Sequence, residues 1–278
     1  MNLVNLIARA RGAESVVGPM VKSVRMATAI GAAVPVGAAS VSVGVLLRDK
    51  HLGVNLFTSI WPGLLLSMNG VSLNVIGAEN LTRQRPAVFI FNHRNNFDGI
   101  IVAALLQRDW IGVGKKEIEG DPVAGTLAKA LGMVLIDRTD AKTAIASLHQ
   151  VEDAARHGQS IVISPEGTRV QDAALGSFKK GPFRIAKASG IPLVPIVIRD
   201  AGHIASRSSK TLTPGCVDVA VLPPIEVAGW SLEEFPERIE QVRRLYLDAL
   251  ECWPPEANPK SPLCEPARSR RRATTSRS

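Results

Sequence analysis

The sequence predicts an α/β protein: a mixed, largely parallel central sheet flanked by helices, with an N-terminal pair of apolar membrane-associated helices. Three observations predict it. From residue 72 onward, short apolar, β-rich runs alternate with helical patterns, as in strand–helix–strand units. Ahead of them lie two long uncharged stretches, Met26–Leu47 and Leu52–Ala78. Hydrophobic residues are 46% of the 278 and charged residues only 21%, a balance that leans towards a membrane-associated chain with ample material for a core.

Residues 1–25 carry Arg9, Arg11, Lys22 and Arg25 and lack the short apolar core of a signal peptide. Met26–Leu47 is uncharged over 22 residues, and about 20 helical residues cross a bilayer core. It is rich in Ala, Gly and Ser, and Pro35 interrupts it. With Leu52–Ala78 it reads either as a spanning helical hairpin or as two helices lying in one leaflet. Basic residues flank the first segment on both sides, so charge bias gives no orientation.

Strands are expected at Ser72–Ile76 and Ala87–Phe91, then a helix at Gly99–Leu106 with Asp98 placed to cap it. A strand at Trp110–Gly114, a helix at Val123–Leu131 and a strand at Met133–Ile136 follow. Ala141–Arg156 is an amphipathic helix behind the cap candidates Thr139 and Asp140. Ser160–Ser164 reads as a strand, Lys179–Ser189 as a helix, and Leu193–Ile198 and Val217–Leu222 as strands. Ser231 opens a final helix with the capping-box pattern Ser231-x-x-Glu234, running to about Glu251. The expected organisation is a membrane-associated helical region at 1–70, a catalytic domain at 71–252 and a disordered, Pro- and Arg-rich tail at 253–278.

The formal net charge is +8, which suits an anionic partner. Half of it, +4, sits in the tail, with Arg268, Arg270, Arg271 and Arg272 close together, where it suits an anionic lipid surface. Aromatics are 4% with one Tyr, so a base-stacking platform for nucleic acid is excluded. Cys216, Cys252 and Cys264 have the spacing of neither a disulfide framework nor a zinc site, and fit a reducing compartment. No Gly-x-Ser-x-Gly elbow of a serine hydrolase is present.

Chemistry-bearing residues gather where apolar runs end. His93 and Asp98 lie in FNHRNNFDG at 91–99, between a strand and a helix. On one helix, residues five apart diverge by about 140°, but with His93 in the turn and Asp98 at the helix start the side chains meet. A carboxylate on one ring nitrogen leaves the other to take a proton, which is the hardware of a general base. SIVISPEGTR, 160–169, ends a second strand: Gly167 lets backbone approach closely, and Arg169 supplies a planar fork for phosphate. Lys115-Lys116 and Arg138 are cations at the ends of further apolar runs. In open α/β sheets, sites collect beyond the carboxyl ends of strands.

Together these residues resemble the glycerolipid acyltransferases, in particular the bacterial 1-acylglycerol-3-phosphate acyltransferases. The family's Asn-His with Asp five residues on resembles Asn92-His93 and Asp98; its Gly-x-x-x-Ile-x-Arg resembles Gly132–Arg138. Pro165-Glu166-Gly167-Thr168-Arg169 matches its third block in full, and Ile191-Pro192-Leu193-Val194-Pro195-Ile196 resembles its fourth. Phe178-Lys179-Lys180-Gly181 resembles the segment between the last two, and the likeness covers about residues 70–225. Arg94-Asn95-Asn96 departs from the small or hydroxyl residues common after the family's His.

The resemblance implies transfer of a fatty acyl group from acyl-CoA or an acyl carrier protein thioester to the sn-2 hydroxyl of lysophosphatidic acid, giving phosphatidic acid. His93 is then the base and Asp98 its orienting partner. Lys115, Arg138, Glu166, Gly167, Thr168 and Arg169 line the substrate site. Neither a cofactor nor a metal is expected, and the expected partners are the two substrates and membrane lipids rather than nucleic acid. The expected location is the cell membrane, with the catalytic domain on the cytoplasmic face. The alternatives are the same chemistry on glycerol-3-phosphate, another lysophospholipid or a glycolipid, or a non-catalytic lipid-binding relative.

Overall fold

The structure, a computed structural model, describes residues 18–121, 124–137, 141–167 and 175–253. The first apolar stretch forms one long helix, α1 (Gly18–Leu46). Its pattern breaks for one residue at Ala32, because Pro35 has no N–H for the Gly31 carbonyl. Asp49 then caps α2 (Lys50–Met68), accepting from the backbone N–H groups of His51 and Leu52 at 2.9 and 3.1 Å. The two helices pack as a tight hairpin. At Gly53 an added Cβ would stand 2.8 Å from the Ser40 carbonyl oxygen, so no larger residue fits without displacement. The Trp61 indole N–H donates to the Ala29 carbonyl at 3.1 Å and locks the crossing.

The pair is present, but its members differ. Among the described residues, only α1 has both the length and the apolar composition to cross a membrane. Its Val41, Val45 and Leu46 stand 64%, 72% and 81% exposed. α2 instead buries Trp61, Leu65 and Leu66 in one cluster with Phe89 of the sheet and Ile101 of a helix packed on it. The second uncharged stretch is also not all helix. It turns at Asn69–Gly70, where Gly70 takes a positive φ of 72°, and continues as a strand.

Seven strands follow: β1 (Val71–Ile76), β2 (Val88–Phe91), β3 (Trp110–Lys115), β4 (Val134–Ile136), β5 (Ser160–Ile163), β6 (Leu193–Arg199) and β7 (Gly215–Val221). Between and after them come α3 (Asn80–Arg83), α4 (Asp98–Leu106), α5 (Ala124–Ala130), α6 (Ala141–Arg156), α7 (Gly181–Ser189) and α8 (Phe235–Glu251). The sheet order is β1-β7-β6-β2-β5-β3-β4. Every neighbouring pair is parallel except β6 with β7. β2, β3, β4, β5 and β6 therefore end on one edge, and β2 lies between β5 and β6.

β2 is buried on both faces, as a central parallel strand must be. Phe89 and Phe91 pack with α2 and α4; Val88 and Ile90 face the other way, into the cluster closed by α6, α7 and α8. Tyr246 of α8, the chain's one tyrosine, is fully buried there and donates its hydroxyl to the Ile90 carbonyl at 2.7 Å. Burial pushes its pKa well above the usual tyrosine value, so the hydroxyl stays a donor.

The expected capping box appears as both of its bonds, Ser231 N–H to Glu234 at 2.7 Å and Glu234 N–H to Ser231 at 3.2 Å. One expectation changes: Asp98 makes no forward cap to α4. Cys252 is free and exposed. The expected tail from Pro254, and residues 1–17, lie outside the described residues.

Tyr246→Phe removes a buried donor to the Ile90 carbonyl, which costs about 1 kcal/mol. Urea unfolding in detergent should show that loss with an unchanged circular-dichroism spectrum.

Candidate functional site

The site begins where β2 stops. Asn92 is fully buried and extends the ladder with its side chain. Its Nδ2 donates to the Ile198 carbonyl at 2.8 Å, and its Oδ1 accepts the Ile198 N–H at 2.7 Å. This fixes the end of β2 to the end of β6 and aims the next residue, His93, out of the sheet edge.

His93 Nδ1 lies 3.0 Å from Asp98 Oδ2. The same oxygen accepts the Asn95 N–H at 2.8 Å and the Arg94 N–H. A carboxylate only accepts, so Nδ1 carries the proton and Nε2 is left with a lone pair. This explains why Asp98 does not cap α4 forward: its oxygen is turned back onto the loop by two backbone donors and the ring. Asp98 is fully buried, and its Oδ1 has no hydrogen-bond partner among the described residues. The His93 side chain keeps 26% of its surface open. Its ring meets Phe91 edge-on, with centroids 5.7 Å apart.

The departure at Arg94-Asn95-Asn96 is explained by the next loop. Asn95, 1% exposed, donates to the Ala201 and Ala205 carbonyls at 2.9 and 3.3 Å, while its Oδ1 accepts the Phe97 N–H at 2.8 Å. Asn96 donates to the Ser209 carbonyl at 3.1 Å. These amides hold the histidine loop against the segment that follows β6.

The Pro-Glu-Gly turn stands next door, at the end of β5. Glu166 is 3% exposed, and both its oxygens are occupied by backbone N–H groups. Oε1 accepts from His93 at 2.7 Å and Oε2 from Gly176 at 2.9 Å. Gly167 has φ +68°, a left-handed conformation that other residues rarely take, and its N–H closes the turn onto the Ser164 carbonyl at 3.2 Å. Lys179 N–H donates to the Pro165 carbonyl at 2.8 Å.

Lys115 ends β3 on the same edge, two strands from β2, which at sheet spacing is roughly 10 Å. Lys116 is paired with Asp137 at 3.1 Å. The structure thus brings His93, Asp98, Glu166, Gly167 and Lys115 to one edge; Arg138, Thr168 and Arg169 lie outside the described residues. Asn92, Asn95 and the Gly176 N–H were not anticipated from sequence. The two asparagines stood in the motif, but a buried amide serving backbone looks no different in sequence from a surface one.

The acyltransferase family model matches residues 72–199. The chain is 31% identical over 195 residues to a 1-acyl-sn-glycerol-3-phosphate acyltransferase of Limnanthes douglasii, covering 69% of this chain and 68% of that one. The protein of the same name from Salmonella typhimurium is 32% identical over 160 residues, covering 57% and 64% of the two chains. The crystal structure of the 1-acyl-sn-glycerophosphate (LPA) acyltransferase from Thermotoga maritima superposes with a TM-score of 0.65 at 21% identity, over 82% of this chain and 97% of that one. It shares the fold. The chain belongs to the acyltransferase family.

Asn92→Ala strands two buried backbone groups of Ile198 and should lower stability by about 3 kcal/mol, read as a fall in the denaturation midpoint.

Proposed function

We propose that this acyltransferase moves a fatty acyl group from an acyl thioester, on CoA or acyl carrier protein, to the sn-2 hydroxyl of 1-acylglycerol-3-phosphate, giving phosphatidic acid. The observation that carries the reading is the His93–Asp98 pair, set by three donors on one carboxylate oxygen at the carboxyl edge of a parallel sheet. The family relatives named for this reaction support the choice of acceptor.

His93 Nε2 takes the proton of the acceptor hydroxyl as its oxygen attacks the thioester carbonyl. The tetrahedral intermediate collapses, the carbon–sulfur bond breaks, and the leaving thiolate recovers the proton from the imidazolium. Asp98 stabilises the charged ring between the two transfers. Base catalysis of this kind contributes about 10²–10⁴ in rate. The remainder comes from holding both substrates together, with no acyl-enzyme required. Arg169, with Lys115 and Arg138, binds the acceptor phosphate in this reading, and Thr168 and Gly167 shape the same loop. The reaction needs neither metal nor cofactor.

The substrate chains live in a bilayer, and α1 provides an apolar helix of spanning length beside the catalytic layer. Because CoA and carrier-protein thioesters are cytoplasmic, the catalytic domain belongs on the cytoplasmic face, with membrane lipids as its surroundings.

The experiment is a transfer assay on the purified chain in detergent with labelled acyl-CoA and a panel of acceptors. Labelled phosphatidic acid from lysophosphatidic acid supports the reading; exclusive labelling of glycerol-3-phosphate or a glycolipid replaces the acceptor. His93→Ala should lose transfer by about 10²-fold or more with an unchanged melting temperature. Arg169→Ala should raise the acceptor's KM by about tenfold or more, the loss of one charge-assisted bond, and leave the thioester's KM alone.

A further inference from the structure

We propose that Arg243, on helix α8, is a positioning residue for His93, acting through a single peptide group and Glu166. The inference rests on the acyl-transfer reading for its kinetic consequence, and on coordinates for its geometry.

The Arg243 guanidinium donates through Nη2 to the Leu175 carbonyl at 2.9 Å and through Nε to the Gly176 carbonyl at 3.0 Å. The Leu175 C=O and the Gly176 N–H are the two ends of one peptide unit. That N–H donates to Glu166 Oε2 at 2.9 Å. Glu166 Oε1 in turn accepts the backbone N–H of His93 at 2.7 Å. A cation, a peptide dipole, a buried carboxylate and the base's own main chain form one line, and hydrogen bonds in such a chain polarise and strengthen one another.

Glu166 is 3% exposed and has no ion-pair partner among the described residues. A buried carboxylate without compensation is costly. Arg243 supplies the compensation one peptide away, and so holds Glu166 fixed without placing a cation in the site. Arg243 also meets Glu240 at 3.0 Å on the surface, an i,i+3 contact in which the Glu240 side chain is 47% exposed. That pair is screened by water and does not need Arg243 to reach inward. The same segment is independently held by packing: Leu175 is 3% exposed, and Phe178 meets Tyr246 of α8 edge-on at 5.2 Å. Removing the guanidinium therefore loosens the line and leaves the segment docked.

The test compares the full chain in detergent with Arg243→Ala, Arg243→Lys, Glu166→Gln, the Arg243→Ala/Glu166→Gln double variant and Glu240→Gln. Arg243→Ala should lower kcat by about 10- to 100-fold through misplacement of the base, with both KM values changed less than about threefold. Arg243→Lys should recover part of kcat. Millimolar guanidinium, well below denaturing levels, should raise kcat of Arg243→Ala and leave His93→Ala inactive. The double variant should be no worse than Glu166→Gln alone, and Glu240→Gln should match the wild type. Amide exchange in the peptide around His93 reads the brace without catalysis and should quicken in Arg243→Ala, not in Glu240→Gln. Unaltered exchange, or Arg243 and Glu166 losses that multiply, overturns the proposal. A wild type whose exchange responds as expected but which transfers no acyl group overturns the acyl-transfer reading and leaves the brace standing.

Discussion

A hydrogen bond of 2.7 Å from the backbone N–H of His93 to Glu166 Oε1 joins two loops that are 73 residues apart in the chain. Everything at the sheet edge depends on it. Parallel β2 and β5 bring the two loops to adjacent strand ends, but strand pairing stops at Ile90 with Ile163. Beyond that point only side chains hold the loops in register. Glu166 does so on one flank of His93 and Asn92 on the other, through both polar groups of Ile198. His93 is thus braced from β5 and β6 at once, while Asp98 sets its ring from α4. Each brace is a buried polar group answered by backbone, which is stronger and more exacting in a dry interior than at the surface.

The strands were legible because short apolar runs bounded by Gly, Pro and Asn have few other uses, and all seven fall within two residues of their expected ends. The His–Asp pair was legible for a local reason: five residues across a strand-to-helix turn leave little choice of geometry. What was hidden shares a different character. Glu166 was expected on substrate, and its two oxygens are engaged by N–H groups at positions 93 and 176; backbone donors carry no side-chain signature. Arg243 sat in an amphipathic helix as one of many charges. The strand after α2 was read from the change of rhythm at residue 72, but the turn itself was not, because hydropathy does not register a turn between two equally apolar segments, and here Gly70 marks it. The reversal at β7 has no local signal either, since strand direction follows from the path of the intervening chain.

Charge at the site is arranged economically. Two carboxylates lie within one loop contact of each other, on an edge expected to receive a phosphate. Left unshielded they would repel it. Asp98 is fully buried and faces the imidazole, so its field falls on that ring. Glu166 is buried too, and its charge is matched by donors from two peptides and, beyond one of these, by the guanidinium of Arg243. Neither carboxylate is open to solvent, and Lys115 stands half-buried at the end of β3.

The helical hairpin extends this logic to the membrane. α1 alone has the length and composition of a spanning helix, yet it is not tethered by a flexible linker. Trp61 of α2 bonds to its backbone, and the small contact at Gly53 sets the two helix axes close. α2 then packs on α4, whose first residue is Asp98. The path from the apolar helix to Asp98 therefore runs through packed core throughout. A catalytic domain on a loose tether would sample many depths and tilts above a bilayer, and each productive encounter would carry the entropy of choosing one. For the proposed reaction, a rigid hairpin would settle depth and tilt during folding and leave only the alignment of the two acyl-bearing substrates to be found.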